Sequence, residues 1–209
     1  MTVDAGGRRS QARTRLARAA VVDAARHLFV ERGYPATTID AISERSDVPP
    51  ATVYRLFTSK LGILRALIDS SVTGGDVPLA EQPTAMALLA DDADPVAQLA
   101  GFAAICRAVN ERTAPLYRVL VGAANSDPEA AALLAERTRQ RSAGQDRIAG
   151  SLARAGHLRP GLRERDAADI IHALMSPEMY QLLVADRGWQ AQRYERWLAQ
   201  ILIGQLLPG

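Results

Sequence analysis

Apolar residues recur every three or four positions along the first third of the chain, which is the spacing of a helix with one buried face. Residues 14–32 carry such a stripe, and we predict the first helix there. Gly33 follows the stripe and Tyr34-Pro35 comes next, a combination that is typical of a helix end. The apolar members of the stripe are Leu16, Ala20, Val21, Ala24, Ala25, Leu28 and Phe29.

Two short helices joined by a tight turn are predicted between residues 37 and 57. Thr37 is expected to cap the first of them, because threonine accepts a hydrogen bond from the free N–H groups of a first turn. Asp47 stands in the turn, where the backbone needs a residue that tolerates the left-handed region. Pro49 and Pro50 suit the start of the next helix, where proline loses no hydrogen bond. The pattern is that of a helix-turn-helix, whose second helix enters the major groove of DNA.

A fourth helix is predicted from its cap, Ser59, to about Val72. Glycine and proline then cluster, which is typical of a hinge, and we place a linker at residues 73–94. The rest of the chain keeps the helical period and lacks the alternation of a strand. The pattern predicts an all-α fold with an N-terminal three-helix helix-turn-helix domain and a C-terminal helical domain at residues 95–209. The C-terminal helices are predicted at 95–112, 115–124, 128–155, 165–185 (bent or restarted at Pro177) and 190–206.

Charge is distributed unevenly along a chain whose net charge is only +2. Residues 1–72 contain 11 Arg or Lys and 7 Asp or Glu, whereas residues 73–209 contain 14 and 16. A basic N-terminal third suits a domain that contacts DNA, although such a balance is also common in other proteins. Residues 1–13 predict a flexible basic arm, which either touches DNA or is a simple disordered end.

Cysteine usage and hydropathy bear on the compartment. Cys106 is the single cysteine, so no disulfide forms within the chain, and its apolar helix favours a buried, unreactive thiol. The sequence contains no run of about 18 apolar residues and no apolar leader segment. These observations predict a cytoplasmic protein.

A set of residues between Ala24 and Leu64 occurs in an order and spacing that carry a family resemblance. They are Ala24-Ala25, Leu28-Phe29, Glu31-Arg32-Gly33-Tyr34, Ala36-Thr37-Thr38-Ile39, Ile42, Val48, Thr52-Val53-Tyr54, Phe57, Ser59-Lys60 and Leu64. With them, residues 14–68 resemble the DNA-binding domain of TetR-family transcriptional regulators. The resemblance implies a DNA-binding domain over residues 14–72.

Several of these side chains have chemistry that suits DNA. Thr37 and Thr38 carry short hydroxyls at a helix N-terminus, where N–H groups and the helix dipole favour a phosphate. Thr52 lies at the start of the recognition helix and is expected to meet a base edge or a thymine methyl group. Arg55 either forms two hydrogen bonds with guanine or holds a phosphate. Val48, Val53 and Phe57 follow the buried face and are predicted to be core.

Other roles come from the resemblance alone. It implies that Tyr54 and Lys60 contact backbone phosphates. The chain departs from the family pattern at several positions: Asp47 replaces the family's usual turn glycine, and Leu56 replaces a common histidine or tyrosine. Prolines also occur where the family often has polar residues, so base reading is expected to depend on few groups. The complete predicted DNA-binding set is Thr37, Thr38, Pro49, Pro50, Ala51, Thr52, Tyr54, Arg55 and Lys60.

The resemblance also implies a homodimer and an effector pocket in the C-terminal half. The last two predicted helices are expected to pair with their copies, although the same apolar stripe also suits core within one chain. The predicted interface is Tyr194, Trp197, Leu198, Ile201 and Leu202. The candidate pocket residues, each of which also suits ordinary core, are Phe102, Cys106, Asn110, Tyr117, Leu120, His172, Met175 and Met179. Because few of them are charged, an apolar or aromatic effector is expected.

Alternative functions remain open beside a repressor that a small molecule releases from a pseudo-palindromic operator. A ligand-independent architectural DNA-binding protein needs no pocket. An enzyme that uses the C-terminal half is a further alternative, but no motif supports it. His27, His157 and His172 have no metal-ligand spacing, so no metal or cofactor is predicted.

Overall fold

The computed structural model describes residues 5–73, 88 and 94–209, and these residues form helices without a strand among them. The helices are α1 (Ala5–Ala36), α2 (Ile39–Ser46), α3 (Pro50–Phe57), α4 (Lys60–Thr73), α5 (Pro95–Ala124), α6 (Pro128–Arg154), α7 (Glu164–Leu174), α8 (Pro177–Tyr180, continued by a π-helical turn Gln181–Asp186) and α9 (Ala191–Leu206). The prediction of an all-α fold is confirmed. Most of the predicted linker 73–94, and the first four residues of the predicted arm, lie outside the described residues.

The chain divides into two compact units. The first combines Met1–Asp69 with Pro115–Leu134, and the second combines Ser70–Ala114 with Ala135–Gly209. The sequence did not predict that the segment 115–134 groups with the N-terminal helices. The predicted domain boundaries remain a prediction.

The core of the first unit is built from the apolar stripes that define its helices. α1 contributes Val21, Ala24, Ala25, Leu28 and Phe29, all of which are buried as predicted. Leu16 of the same stripe is 71% exposed instead. Buried side chains from the following helices complete this core: Ile42, Val48, Val53, Phe57, Ile63, Leu64, Leu67, Ile68, Leu116 and Leu120.

Several helix boundaries differ from the prediction for physical reasons. α1 begins at Ala5 rather than at residue 14, so much of the predicted arm is helical, and Gly33 interrupts the helix at φ 77°. The predicted helices 95–112 and 115–124 form one helix with Pro115 inside it. An internal proline costs about 3 kcal/mol. Burial of Ala114, Leu116 and other side chains on both sides offsets that cost, since each large apolar side chain contributes about 1.5–3 kcal/mol.

The core of the second unit is a single apolar cluster. Leu99, Phe102 and Cys106 of α5 pack with Ile148 and Leu152 of α6 in this cluster. α7, α8 and α9 complete it with Ala167, Ile171, Met175, Tyr180, Tyr194, Leu198, Leu202 and Leu206. The predicted restart at Pro177 is confirmed, with Ser176 as the cap of the new helix.

Candidate nucleic-acid interface

The turn between α2 and α3 sets the geometry of the helix-turn-helix. Asp47 ends α2 in the left-handed region, at φ 52° and ψ 34°, as predicted. The Ser43 hydroxyl donates to the carbonyl of Val48 at 2.6 Å and closes the turn from inside. α3 then begins at Pro50, with Pro49 as its N-cap residue. The two prolines therefore occupy the positions that the sequence predicts for them.

α3 has one buried and one exposed face. Val53 and Phe57 point into the core, as predicted. Ala51 and Arg55 are exposed, and the Tyr54 side chain is 54% exposed. Thr52 is half-buried at the edge of the same face. The exposed face of α3 thus presents a small group, a hydroxyl and a guanidinium side by side.

Thr37 and Thr38 have different environments. The predictions that Thr37 caps α2 and that it faces a phosphate are wrong. Thr37 is 0% exposed, and its hydroxyl lies 2.8 Å from the Gly33 carbonyl and 3.1 Å from the Leu28 carbonyl. It therefore faces the end of α1 rather than a phosphate. Thr38 is the exposed N-cap of α2, and its Oγ1 accepts a hydrogen bond from Ala41 N at 3.1 Å. Only Thr38 of this pair is available to a phosphate.

Lys60 is held by α1 in the structure. Its Nζ donates to the Tyr34 carbonyl at 2.7 Å and lies 4.2 Å from the centre of the Tyr34 ring. Burial lowers the pKa of the Lys60 ammonium, and the charge of Asp127 opposes that shift. The phosphate contact that the resemblance implies for Lys60 remains a prediction, which has to compete with these contacts.

Two residues that shape the C-terminal end of α3, Arg18 and Thr58, have no role predicted from the sequence. Arg18 of α1 donates to the Leu56 carbonyl at 3.3 Å, and its guanidinium lies 4.5 Å from the centre of the Phe57 ring. Thr58 has φ 66° and ψ −42°, and the Ser59 N–H donates to the Phe57 carbonyl at 2.7 Å across it. This is a γ-turn with positive φ, a strained conformation for a β-branched residue.

Gly62 makes the α3–α4 joint possible. A Cβ atom on Gly62 would lie 2.0 Å from the Phe57 carbonyl oxygen, which no side chain tolerates. The Gly62 N–H donates to Ser59 Oγ at 3.0 Å, so Ser59 caps α4 as predicted. The sequence analysis gives no role to Gly62, and the close approach becomes evident only from the backbone of the α3–α4 joint.

Comparison with known proteins identifies the domain that carries this interface. The sequence model described as "Bacterial regulatory proteins, tetR family" matches residues 21–67, which span the core of α1, the helix-turn-helix and most of α4. The helix-turn-helix region of the chain is therefore of the TetR type.

Two relatives from Bacillus subtilis (strain 168) are named as HTH-type transcriptional regulators. The chain is 44% identical over 48 residues to the uncharacterized HTH-type transcriptional regulator YvkB, and this match spans 23% of the chain and 25% of YvkB. It is 28% identical over 167 residues to the uncharacterized HTH-type transcriptional regulator YdeS, across 79% of the chain and 77% of YdeS. These similarities support a role as a DNA-binding transcriptional regulator.

Solved structures share the fold over nearly the whole chain. A SmeT–triclosan complex superposes with a TM-score of 0.71 at 19% identity and covers 92% of each chain. Native NalD, the secondary repressor of the MexAB-OprM multidrug efflux pump in Pseudomonas aeruginosa, superposes with a TM-score of 0.69 at 21% identity. That match covers 93% of this chain and 98% of NalD. At these identities the likeness establishes the fold alone.

The predicted dimer residues fall into two groups, and three of them are wrong. Tyr194, Leu198 and Leu202 are 0% exposed within one chain, where they form the core of the second unit. Trp197 and Ile201 are half-buried, and Trp197 contacts Trp189 edge to face at 5.9 Å. A helix with apolar residues on more than one face gives no sequence signal for which face meets its own chain.

The eight predicted pocket residues do not form one cluster within a unit. Tyr117 and Leu120 are buried in the first unit, whereas the others belong to the second. Within the second unit, the Cys106 sulfur lies 3.3 Å from Asn110 Nδ2 and 3.8 Å from the Tyr194 hydroxyl. Phe102 and Met175 belong to the same apolar cluster, and Met179 packs against it.

His172 has polar neighbours, Gln145 and Ser142, for which the sequence predicts no role. Its Nδ1 lies 2.7 Å from Gln145 Oε1 and 3.3 Å from the Ser142 hydroxyl. Arg141, one turn before Gln145, lies 4.0 Å from Glu178. The candidate effector region therefore combines apolar groups with a polar row on α6, which a stripe of apolar residues cannot reveal.

In the described ranges, no group of three or more His, Cys, Asp and Glu residues is arranged to hold a metal ion. Among the helices of the described part of the chain, none combines the length and hydropathy that a membrane crossing needs.

Proposed function

We propose that this protein is a homodimeric, sequence-specific repressor of the TetR type, which a small-molecule effector releases from a pseudo-palindromic operator. The DNA-binding half of this proposal rests on the exposed face of α3, which carries Thr52, Tyr54 and Arg55. The opposite face of α3 is buried in the core. Arg55 and Thr52 suit base edges, and Tyr54 suits a phosphate. Two such helices in a dimer read half-sites about one DNA turn apart, or a multiple of it.

Dimerisation is proposed through the face of α9 that carries Trp197 and Ile201. Both side chains are large and only half-buried within one chain, so a partner is able to cover them. Tyr194, Leu198 and Leu202 are excluded from this surface because their own chain already buries them.

The effector is proposed to be an apolar or aromatic molecule that carries one polar group. The apolar cluster around Phe102 and Met179 suits its body, and the polar row at Gln145 and His172 suits a hydroxyl or an anionic group. Triclosan, present in the SmeT complex, is an aromatic probe of this kind. Release follows if the effector binds the DNA-free arrangement more tightly than the DNA-bound one.

Selection of bound DNA from a random duplex pool, at stated salt, tests the DNA-binding proposal. We expect recovery of one inverted-repeat sequence. Arg55→Ala is expected to relax preference at particular base pairs, with a loss of about 1–3 kcal/mol there. Arg118→Ala, which removes an exposed arginine from α5, is the charge-matched control and leaves the selected sequence unchanged.

A different result points to the architectural alternative. Weak, steeply salt-dependent binding with no preferred sequence indicates non-specific phosphate contact only. Titration of the protein–operator complex with triclosan then tests release, and retention of full operator affinity at saturation excludes this compound as an effector.

A further inference from the structure

Asp127 lies in the short turn that joins α5 to α6, and its two carboxylate oxygens have different partners. Oδ1 accepts hydrogen bonds from the N–H groups of Glu129, at 2.9 Å, and Ala130, at 3.2 Å, and so caps α6. Oδ2 accepts a hydrogen bond from the Tyr34 hydroxyl at 3.5 Å. Tyr34 is 93 positions away in sequence, yet both residues belong to the first compact unit. The turn thus touches the DNA-binding helices directly.

Tyr34 connects that turn to Lys60. The Tyr34 ring stacks on Phe29 at 5.8 Å, and its carbonyl accepts the hydrogen bond from Lys60. Burial and the neighbouring charge of Asp127 raise the pKa of Tyr34 to about 12, so its hydroxyl stays protonated and able to donate near neutral pH. The positive Lys60 and the negative Asp127 therefore meet the same tyrosine, one through the carbonyl and ring and the other through the hydroxyl.

Lys60 is also the first residue of α4, immediately after the joint that ends α3. That joint is short and sterically tight, because Thr58 forms a γ-turn and Gly62 approaches the Phe57 carbonyl. A joint of this kind has little freedom to absorb a shift of α4. A displacement of Lys60 would therefore also displace the C-terminal end of α3.

We infer that Asp127 is a positioning residue for DNA binding, which acts through Tyr34 and Lys60 to hold α3 in the orientation that an operator half-site requires. The inference rests on the proposed DNA-binding function. In this role Lys60 contributes to operator affinity mainly by holding α3, and not by neutralising a phosphate.

Two conservative substitutions separate this contact from the cap. Tyr34→Phe removes only the hydroxyl. Asp127→Ser keeps an oxygen that caps α6, since serine and aspartate cap about equally well, but its side chain is too short to reach Tyr34. The double variant completes a mutant cycle, which isolates the energy of the pair. Asp146→Asn, at an exposed position of α6, is the control for loss of a carboxylate.

Operator dissociation constants are measured for these variants over a series of salt concentrations, with the operator selected by the wild-type protein. Each single variant is expected to weaken binding by about three- to tenfold for each half-site, which corresponds to one hydrogen bond in each subunit of the proposed dimer. The double variant is expected to be little worse than either single one. The slope of log affinity against log salt stays unchanged, because no phosphate contact is lost.

Lys60→Met provides the decisive comparison, because methionine keeps the apolar stem without the ammonium. An unchanged salt slope supports positioning. A slope that falls by about 1.8 in Lys60→Met, about 0.9 for each subunit of the proposed dimer, identifies a phosphate contact and overturns the positioning role of Lys60. Additive effects in the Tyr34–Asp127 cycle, or unchanged affinity, overturn the role of Asp127.

Amide hydrogen exchange of residues 50–64 separates failure of this inference from failure of the proposed function. It needs no DNA, so it is informative even if the wild-type protein selects no operator. Faster exchange in both Tyr34→Phe and Asp127→Ser, by about threefold or more, supports the contact whatever DNA is bound. Exchange that matches wild type in both variants overturns it.

Discussion

At the residue scale, backbone carbonyls compete with DNA for the polar side chains of this domain. The Thr37 hydroxyl donates to carbonyls at the end of α1, and the Lys60 ammonium donates to the Tyr34 carbonyl. Thr38, Tyr54 and Arg55 keep their polar groups at the surface. The division follows from burial, since a hydroxyl that is shut off from water needs a partner inside the protein.

Thr37→Val tests the structural role of the buried threonine. The isosteric change removes the donor that the Leu28 and Gly33 carbonyls share, so we expect the free energy of unfolding to fall by about 1–3 kcal/mol. Urea unfolding measures it. Thr37→Ser, which retains the hydroxyl, is the control. A Thr37→Val protein with wild-type stability but a reduced salt slope of operator binding contradicts this role and restores the phosphate contact.

Cys106 is expected to be unreactive in the folded protein. Burial raises the pKa of its thiol from the usual 9.0 to about 12, so almost no thiolate is present near neutral pH. Because the folded state holds this proton more tightly than the unfolded state, the free energy of unfolding falls as the pH rises from about 9 towards 12. Alkylation by iodoacetamide at pH 8 measures it: rapid labelling of native protein contradicts the prediction, and labelling only in denaturant supports it.

The sequence correctly predicts the environment of a residue where its side-chain chemistry suits only one position in a helix or turn. Asp47 in the left-handed region, Pro49 and Pro50 at the helix start, and the buried Val53 and Phe57 all follow from local rules. Thr37 and Thr38 are adjacent and chemically alike, so no local rule decides which one caps α2. Only the packing of α1 against α2 decides it, and that is a tertiary property.

At the scale of elements, the joint between α3 and α4 is the most constrained part of the helix-turn-helix. Its γ-turn, the capping Ser59 and the close approach at Gly62 occur within six residues of chain. The orientation of the recognition helix therefore depends on backbone geometry as much as on side-chain packing.

Gly62→Ala tests this constraint. The added methyl group would collide with the Phe57 carbonyl, so we expect the free energy of unfolding to fall by about 1–3 kcal/mol or more. Gly122→Ala is the matched control: Gly122 is an exposed helical glycine with nothing within 4 Å of an added Cβ. The control is expected to gain about 0.5–1 kcal/mol, because alanine favours the helix. Thermal and urea unfolding measure both, and equal effects of the two substitutions contradict the argument.

Helix boundaries were predictable where a cap or breaker acts alone. Ser59, Asp127 and Ser176 cap helices as local rules predict. Pro115 predicts a helix start, but burial on both sides of it keeps α5 continuous. That outcome depends on tertiary burial, which a window of sequence does not contain.

At the scale of the whole molecule, α9 separates the chain's own core from the surface proposed for its partner. Tyr194, Leu198 and Leu202 lie on one side, at four-residue spacing, and are fully buried. Trp197 and Ile201 lie about a quarter-turn away and are half-buried. Because both rows are apolar, the sequence predicts a broad stripe but not its division.

Substitutions in the two rows are expected to have different consequences. Leu198→Ala leaves a cavity in the core and should lower the free energy of unfolding by about 2–5 kcal/mol. Ile201→Arg should leave each chain folded but place two charges at the proposed dimer surface, so that the protein sediments as a monomer. Sedimentation equilibrium and urea unfolding separate the two effects. An Ile201→Arg protein that remains dimeric argues against this surface.

The contact between Lys60 and Tyr34 has a practical consequence, because Lys60 is the only lysine in the 209 residues. An amine-directed reagent thus has one side-chain target, and that target is engaged by a carbonyl and an aromatic ring. The rate at which Lys60 is acylated therefore reports on a single contact, without an engineered label. Acylation also removes the charge, so the modified protein is a chemical counterpart of the methionine variant, made from the native chain.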